Sequence, residues 1–261
     1  MVSTNKKQEH AFPIIGMGGS AGSFHALETF FLNLPVPNGF AFVIIMHLDP
    51  IQQMDVAGLL QTATPMPIVE AEDGMAVQPD YVYVIPSGKD MGIHKGHLLL
   101  LPATRTRGAH MAIDYFLQSL AEDRDNMAVA IIFSGMGTDG ETGVRMIKEK
   151  LGMTMIQDPE SAEYNSMPLA AIKTNMADYV LGPQDMPAKL IQYLNHPAIS
   201  TLDGESFDSE RNKSTQFQKI LMMLRSHTGH DFSLYKKNTI TRRLERRIAF
   251  HQLPDYTSYV N

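Results

Sequence analysis

From Pro13 to about Leu194, short apolar runs alternate with stretches in which apolar residues recur every three or four positions. The runs Pro13–Met17, Phe40–Met46, Tyr81–Ile85, Met127–Phe133, Met153–Ile156 and Tyr179–Leu181 read as strands. Several are apolar throughout rather than alternating, as strands covered on both faces are. Between them, Phe24, Leu27, Phe31 and Leu34 stand at helical spacing, as do Ile113, Phe116, Leu117 and Leu120, and Val144, Ile147 and Leu151. This alternation predicts an α/β fold, doubly wound, with a mostly parallel sheet and helices on both faces. One stretch breaks the rhythm: Met91–Leu101 holds two apolar runs around Lys95-Gly96 and predicts a hairpin, added antiparallel to the sheet.

Beyond Leu194 the pattern changes. His196 to Ser214 is rich in Ser, Asp, Asn and Glu and has no period, so it reads as a linker. Helical spacing resumes over Phe217–Leu224 and again near Thr239–His251, a partial all-α segment. The division expected is therefore 1–195, a linker at 196–214, and 215–261. Two short helices are expected to enclose no core of their own, so the last segment reads as cut off.

Charge sharpens that division. Residues 1–212 hold 13 Lys/Arg against 25 Asp/Glu, whereas residues 213–247 hold nine against two, within an overall net charge of −6. The acidic part argues against general nucleic-acid binding, which needs a clustered basic face. The basic part gathers at Arg242, Arg243, Arg246 and Arg247, a spacing that also suits a solvated helix face. With no cysteine, disulfides, a thiolate nucleophile and Cys-ligated zinc are excluded. No apolar run approaches the ~18–20 residues of a membrane helix, and no apolar signal core follows Lys6 and Lys7, so a cytoplasmic protein is expected.

Candidate chemistry begins where the first strand runs into Gly16-Met17-Gly18-Gly19-Ser20-Ala21-Gly22. Gly16, Gly18 and Ala21 fit a dinucleotide fingerprint, with Asp49 placed to hold a ribose hydroxyl. Gly18-x-Ser20-x-Gly22 fits instead a sharp strand-to-helix turn exposing a nucleophilic serine. A glycine-rich βα turn without chemistry is the third reading. In a doubly wound sheet the carboxyl ends of the parallel strands share one edge. Ser20, His47 and Asp139 all fall there, which supplies a nucleophile, a base and an orienting carboxylate. Taken singly, His47 suits a packed histidine and Asp139 suits a helix N-cap for Gly140–Leu151. The triad reading uses all three positions, whereas the dinucleotide reading leaves His47 and the Gly135–Gly140 loop idle. N–H groups of Ala21 and Gly22, at a helix start, are placed to hold an oxyanion. His94 and His97 lack a third metal ligand nearby, Arg105 and Arg107 suit an exposed loop, and most of the 18 methionines read as core.

The motifs Gly18-Gly19-Ser20-Ala21-Gly22, Ile45-Met46-His47, Glu70-Ala71-Glu72-Asp73-Gly74, Tyr83-Val84-Ile85-Pro86, Phe133 to Gly140, and Gln157 to Tyr164 with Met167-Pro168 occur in this order. Together they resemble the catalytic domain of the chemotaxis protein-glutamate methylesterases, the CheB family, over about residues 12–194. The resemblance implies a Ser20, His47 and Asp139 triad that hydrolyses glutamate γ-methyl esters, and can deamidate glutamines, on chemoreceptor helices. It places Met136 at the active site near the histidine and implies neither metal nor nucleotide. Members often have Thr where this chain has Ala21. Many also carry an N-terminal receiver domain, which does not fit before residue 13, so control by phosphorylation in cis is not expected. Residues from Phe217 to Tyr256 resemble the N-terminal helical region of the chemoreceptor methyltransferases, the CheR family. That implies a fragment of an esterase and transferase fusion, with Arg242, Arg243, Arg246 and Arg247 facing an acidic receptor. S-adenosylmethionine is then expected only for the missing transferase part. Nucleotide binding and an inactive docking domain are the alternatives.

Overall fold

The computed structural model describes residues 12–46, 55–103, 111–200, 210–230, 232 and 235–260. The chain divides into two compact units, Met1–Pro187 and Ala188–Asn261.

In the first unit the strands are β1 (Ile14–Gly19), β2 (Ala41–Met46), β3 (Ile68–Glu70), β4 (Val82–Val84), β5 (Lys89–His94), β6 (His97–Pro102), β7 (Ala128–Ile132), β8 (Met153–Gln157) and β9 (Tyr179–Leu181). The helices are α1 (Ser23–Leu32), α2 (Val56–Leu60), α3 (Ala112–Arg124), α4 (Glu141–Glu149), α5 (Ser166–Lys173) and α6 (Met186–Leu194), which crosses into the second unit. Seven strands form one sheet in the order β3-β4-β2-β1-β7-β8-β9, with every pair parallel. The chain starts in the middle at β1, runs out to β3 and β4, and returns to β7 on the other side of β1. The order of winding therefore reverses between β1 and β7, where such sheets open a crevice.

The central strands β1, β2, β7 and β8 are buried at every residue, which accounts for their unbroken apolar runs. On one face, α3 and α4 contribute Ile113, Phe116, Leu117, Leu120, Val144 and Ile147 to the core. β1 admits α3 closely because it carries glycine on that face. A Cβ at Gly16 would stand 2.7 Å from Leu117 Cδ2, and one at Gly18 2.5 Å from Ile113 Cγ2. On the other face, Phe30 and Phe31 of α1 pack edge-on against Phe42, and Phe30 against Phe133.

The hairpin forms as expected but not where expected. β5 and β6 pair only with each other among the named strands, as a separate two-stranded sheet. Lys95 and Gly96 both have positive φ, 49° and 73°, as a two-residue type I′ turn requires. The hairpin docks on α3: Ile93 N–H donates to Ser119 Oγ at 3.0 Å and Gly96 N–H to the Asp123 carboxylate at 3.2 Å. Met91, Ile93 and Leu98 join the main core, so burial against the helix, not sheet extension, fixes it. One other expectation shifts, and one strand is unexpected. Leu151 lies past the end of α4 with φ 65°, and β3 is too short to leave a run in the sequence.

In the second unit α7 (Pro197–Ser200), α8 (Glu210–Thr228), α9 (Lys237–Phe250) and α10 (Tyr256–Val260) follow α6. Much of the expected linker is therefore helical, and residues 201–209 lie outside the described ones. The expectation that this segment encloses no core is corrected. Phe217, Ile220, Leu221, Ile240, Leu244, Ile248 and Tyr256 form a buried cluster, because the short α10 closes the third side left open by α8 and α9.

Candidate active site

β1 ends at Gly19, and the next residue, Ser20, continues its ladder with β7. Phe133 N–H donates to Gly18 O at 2.8 Å and Ser20 N–H to Ser134 O at 3.0 Å. The chain then turns sharply. Ser23 N–H and Ser23 Oγ both donate to Ser20 O, at 3.1 and 2.7 Å, and Gly22 enters α1 with φ 72°. A side chain at Gly22 would be strained and would also meet Glu163. Ser20 is left partly buried at the strand-to-helix bend, and no described residue hydrogen-bonds its Oγ. The N–H groups of Ala21 and Gly22 donate to no described residue either, and they lie at the positive end of α1.

Ser134, at the end of β7, is wholly buried and ties this bend to its surroundings. Its Oγ donates to Ala21 O at 2.9 Å and accepts Tyr164 N–H at 2.9 Å. Its N–H donates to Gln157 Oε1 at 2.8 Å, and Gln157 Nε2 donates to Ser161 O at 3.0 Å. Two buried polar side chains thus hold three loops at one edge of the sheet. Both residues lie in the sequence motifs with no role of their own there; the available signal was a polar residue directly after an apolar strand. Gly135 completes the fit: a Cβ there would overlap Met167 Sδ and stand 2.9 Å from Ser20 Cβ.

Asp139 is 3% exposed, in the loop between β7 and α4. It does not cap α4, whose first position is held by Gly140 with φ 95° and no side-chain bond. Its carboxylate instead accepts Ile113 N–H and Asp114 N–H, each at 2.9 Å, at the start of α3, and Gly140 N–H at 2.9 Å. Asp114 answers in the other direction by accepting Gly143 N–H of α4 at 2.7 Å. Burial, first, and the neighbouring Asp139 charge raise the Asp114 pKa, against the hydrogen bonds that favour its ionised form.

Residues 15–190 match the family model described as CheB methylesterase. The chain belongs to the CheB methylesterase family. The structure of the Thermotoga maritima CheB methylesterase catalytic domain is similar, with a TM-score of 0.65 and 30% identity, over 70% of this chain and 98% of that one. A protein-glutamate methylesterase/protein-glutamine glutaminase of Thermotoga maritima is 30% identical over 69% of this chain and 53% of its own length. An uncharacterized 104.1 kDa protein of Rhodobacter capsulatus is 34% identical over 78% of this chain and 23% of its own length. The chain thus spans about half of the curated methylesterase and less of the Rhodobacter protein. Residues 215–261 match the model described as CheR methyltransferase, all-alpha domain.

Within this CheB-type unit, Ser20 and Asp139 lie beyond the carboxyl ends of β1 and β7, the strands flanking the switch point. His47 follows Met46, which pairs with Gly19, but His47 itself lies outside the described residues, as do Asp49, Arg105 and Arg107. Met136 is 59% exposed beside Gly135. The dinucleotide reading loses its turn: Gly16 and Gly18 sit inside β1, paired with Val43 and Ile45, and their missing side chains make room for α3. On α9, Arg242, Arg243 and Arg247 are exposed, whereas Arg246 is only 9% exposed. His94 and His97 face each other across β5 and β6, and no group of three or more possible metal ligands gathers among the described residues. Among those residues, no helix is long and apolar enough to cross a membrane.

Proposed function

We propose that the first unit is a protein-glutamate methylesterase that hydrolyses glutamate γ-methyl esters by a Ser20, His47 and Asp139 triad. The observation that carries this is the meeting of two loops at the switch point: the 3.0 Å bond from Ser20 N–H to Ser134 O joins the partly buried serine to the loop bearing buried Asp139. Family membership supports the ester as substrate, and the place of Ser20 and Asp139 at one edge of the sheet supports their roles.

In this reading Ser20 Oγ attacks the ester carbonyl carbon as its proton passes to the His47 imidazole. The N–H groups of Ala21 and Gly22 hold the oxyanion, and Met136 lines the pocket beside it. Collapse breaks the bond to the methoxy oxygen, which takes the proton from His47 and leaves as methanol. Water, giving its proton to His47, then cleaves the glutamyl ester of Ser20 and returns a glutamate carboxylate and free serine. A glutamine side chain enters the same path with ammonia leaving. Asp139 fixes the tautomer of His47 and stabilises its imidazolium.

The partner proposed is a methylated chemoreceptor helix or a similar methylated protein, met in the cytoplasm, with Arg242, Arg243 and Arg247 offering α9 to an acidic surface. The esterase needs no cofactor. S-adenosylmethionine serves methyltransferases, but the described residues of the second unit hold helices and no strand, so they offer no glycine-rich βα turn for it. The test is methanol release from methylated receptor cytoplasmic fragments. Ser20→Ala is expected to lower turnover by several orders of magnitude. Equal release by the two proteins would remove Ser20 from the chemistry, and no release by either would leave a docking role.

A further inference from the structure

The contact between α3 and α4 contains a buried carboxylate that the proposed chemistry does not use. Asp114 is 9% exposed in the first turn of α3, and its oxygen takes the N–H of Gly143 in the first turn of α4. Asp139, before α4, takes the N–H groups of Ile113 and Asp114 in α3. The opening turn of each helix is therefore bound by a carboxylate that belongs to the other. The unpaired N–H groups of a helix start are the donors such an arrangement needs. Gly143 also lets the helices approach closely, since a Cβ there would stand 2.6 Å from Leu117 Cβ. Thr142 and Gly140 of the same turn also favour the ionised form of Asp114. Two carboxylates side by side repel, so a buried second acid here has a cost that plain helix packing would avoid.

We propose that Asp114 is a positioning residue for Asp139. By tying the start of α4 to the start of α3 it fixes the Asp139 carboxylate in the direction from which it orients the general base. This role rests on the esterase reading above. Asp114 touches no substrate; it acts through Asp139 alone.

The experiment measures kcat and KM for methanol release from methylated receptor fragments, with amide hydrogen exchange at Ile113, in the 261-residue protein. Asp114→Ala is expected to lower kcat at least tenfold with KM within twofold, and to speed exchange at Ile113 at least tenfold. Asp114→Asn keeps an oxygen for Gly143 N–H and is expected to restore kcat to within threefold of wild type. Asp114→Glu keeps the charge but moves the acceptor by one methylene, and a several-fold loss of kcat is expected. Should Asp114→Ala fail to fold, the Asn and Glu variants carry the test. Wild-type kcat in the Glu variant, or an Asn variant as slow as the Glu variant, overturns the role. So does unchanged exchange at Ile113 in Asp114→Ala. Wild type and Ser20→Ala run alongside. An inactive wild type sinks the esterase reading and this role with it, whereas an active wild type with an equally active Asp114→Ala sinks this role alone.

Discussion

Ser20 owes its position to groups that bind its backbone and leave its hydroxyl alone. Its N–H and C=O are both taken, by Ser134 and Ser23, while Oγ has no described partner. Asp139 is the opposite case, with its carboxylate engaged by three backbone N–H groups. Both residues were legible in the sequence because each follows an apolar strand within a glycine-rich turn. Asp114 was not legible: an acid in the first turn of an amphipathic helix reads as a solvated residue that suits the helix dipole. What buries it is Gly143, 29 positions away. Its raised pKa gives a test of sign. The folded protein holds the Asp114 proton more tightly than the unfolded chain, so its contribution to stability is full at low pH and is lost as the pH rises above about 4 through the raised value. The groups facing it are Asp139, Gly140, Thr142 and Gly143. Asp114→Asn removes this loss, so the urea midpoint of the variant relative to wild type is expected to climb between pH 4 and pH 7. A difference that stays flat would show that Asp114 does not titrate differently on folding.

At the scale of elements, the site depends on how closely α3 lies on β1. Gly18 has no side chain because Ile113 occupies that space, and Ile113 N–H is a donor to Asp139. Gly18→Ala is therefore expected to push the first turn of α3 outward, costing about 1–3 kcal/mol of stability and lowering turnover together. Urea denaturation and methanol release check the two effects, and full activity in a destabilised variant would separate α3 from the site. The apolar runs of β1, β2 and β7 announced their strands because a strand buried on both faces has few polar positions. β3 escaped because only two of its three residues, Ile68 and Val69, are apolar. The hairpin's turn was legible in Lys95-Gly96, but its docking was not, since Ser119 and Asp123 that receive it lie on a helix 26 and 27 positions further on.

For the molecule as a whole, the named core around β1 and α3 draws on residues 14 to 171, and the second core on residues 217 to 256. Cutting the chain after Asn195 keeps α6 whole and removes no member of the first cluster. Residues 1–195 are expected to keep methanol release within about twofold of the full chain and to unfold in one transition. A tenfold loss on cutting would show that the esterase depends on its helical neighbour. The boundary between units shows a similar division of labour. The charge reversal near residue 213 marked a change of domain, yet the compact units part within α6, because packing rather than composition decides which core a helix serves.

The sequence alone determined the parallel α/β sheet, the serine at the first strand's end and the acid beyond β7, because hydrophobic period and glycine-bordered polar residues are local signals. The tertiary structure alone decided that Asp139 binds the start of α3 rather than capping α4, and that Asp114 closes the same clasp. It also decided that Ser134 and Gln157 hold the loop of Ser20, and that the hairpin lies on a helix instead of the sheet. Each of these depends on which donors and acceptors become neighbours after burial, and residues 23 to 113 positions apart acquire that relation only when the chain has folded.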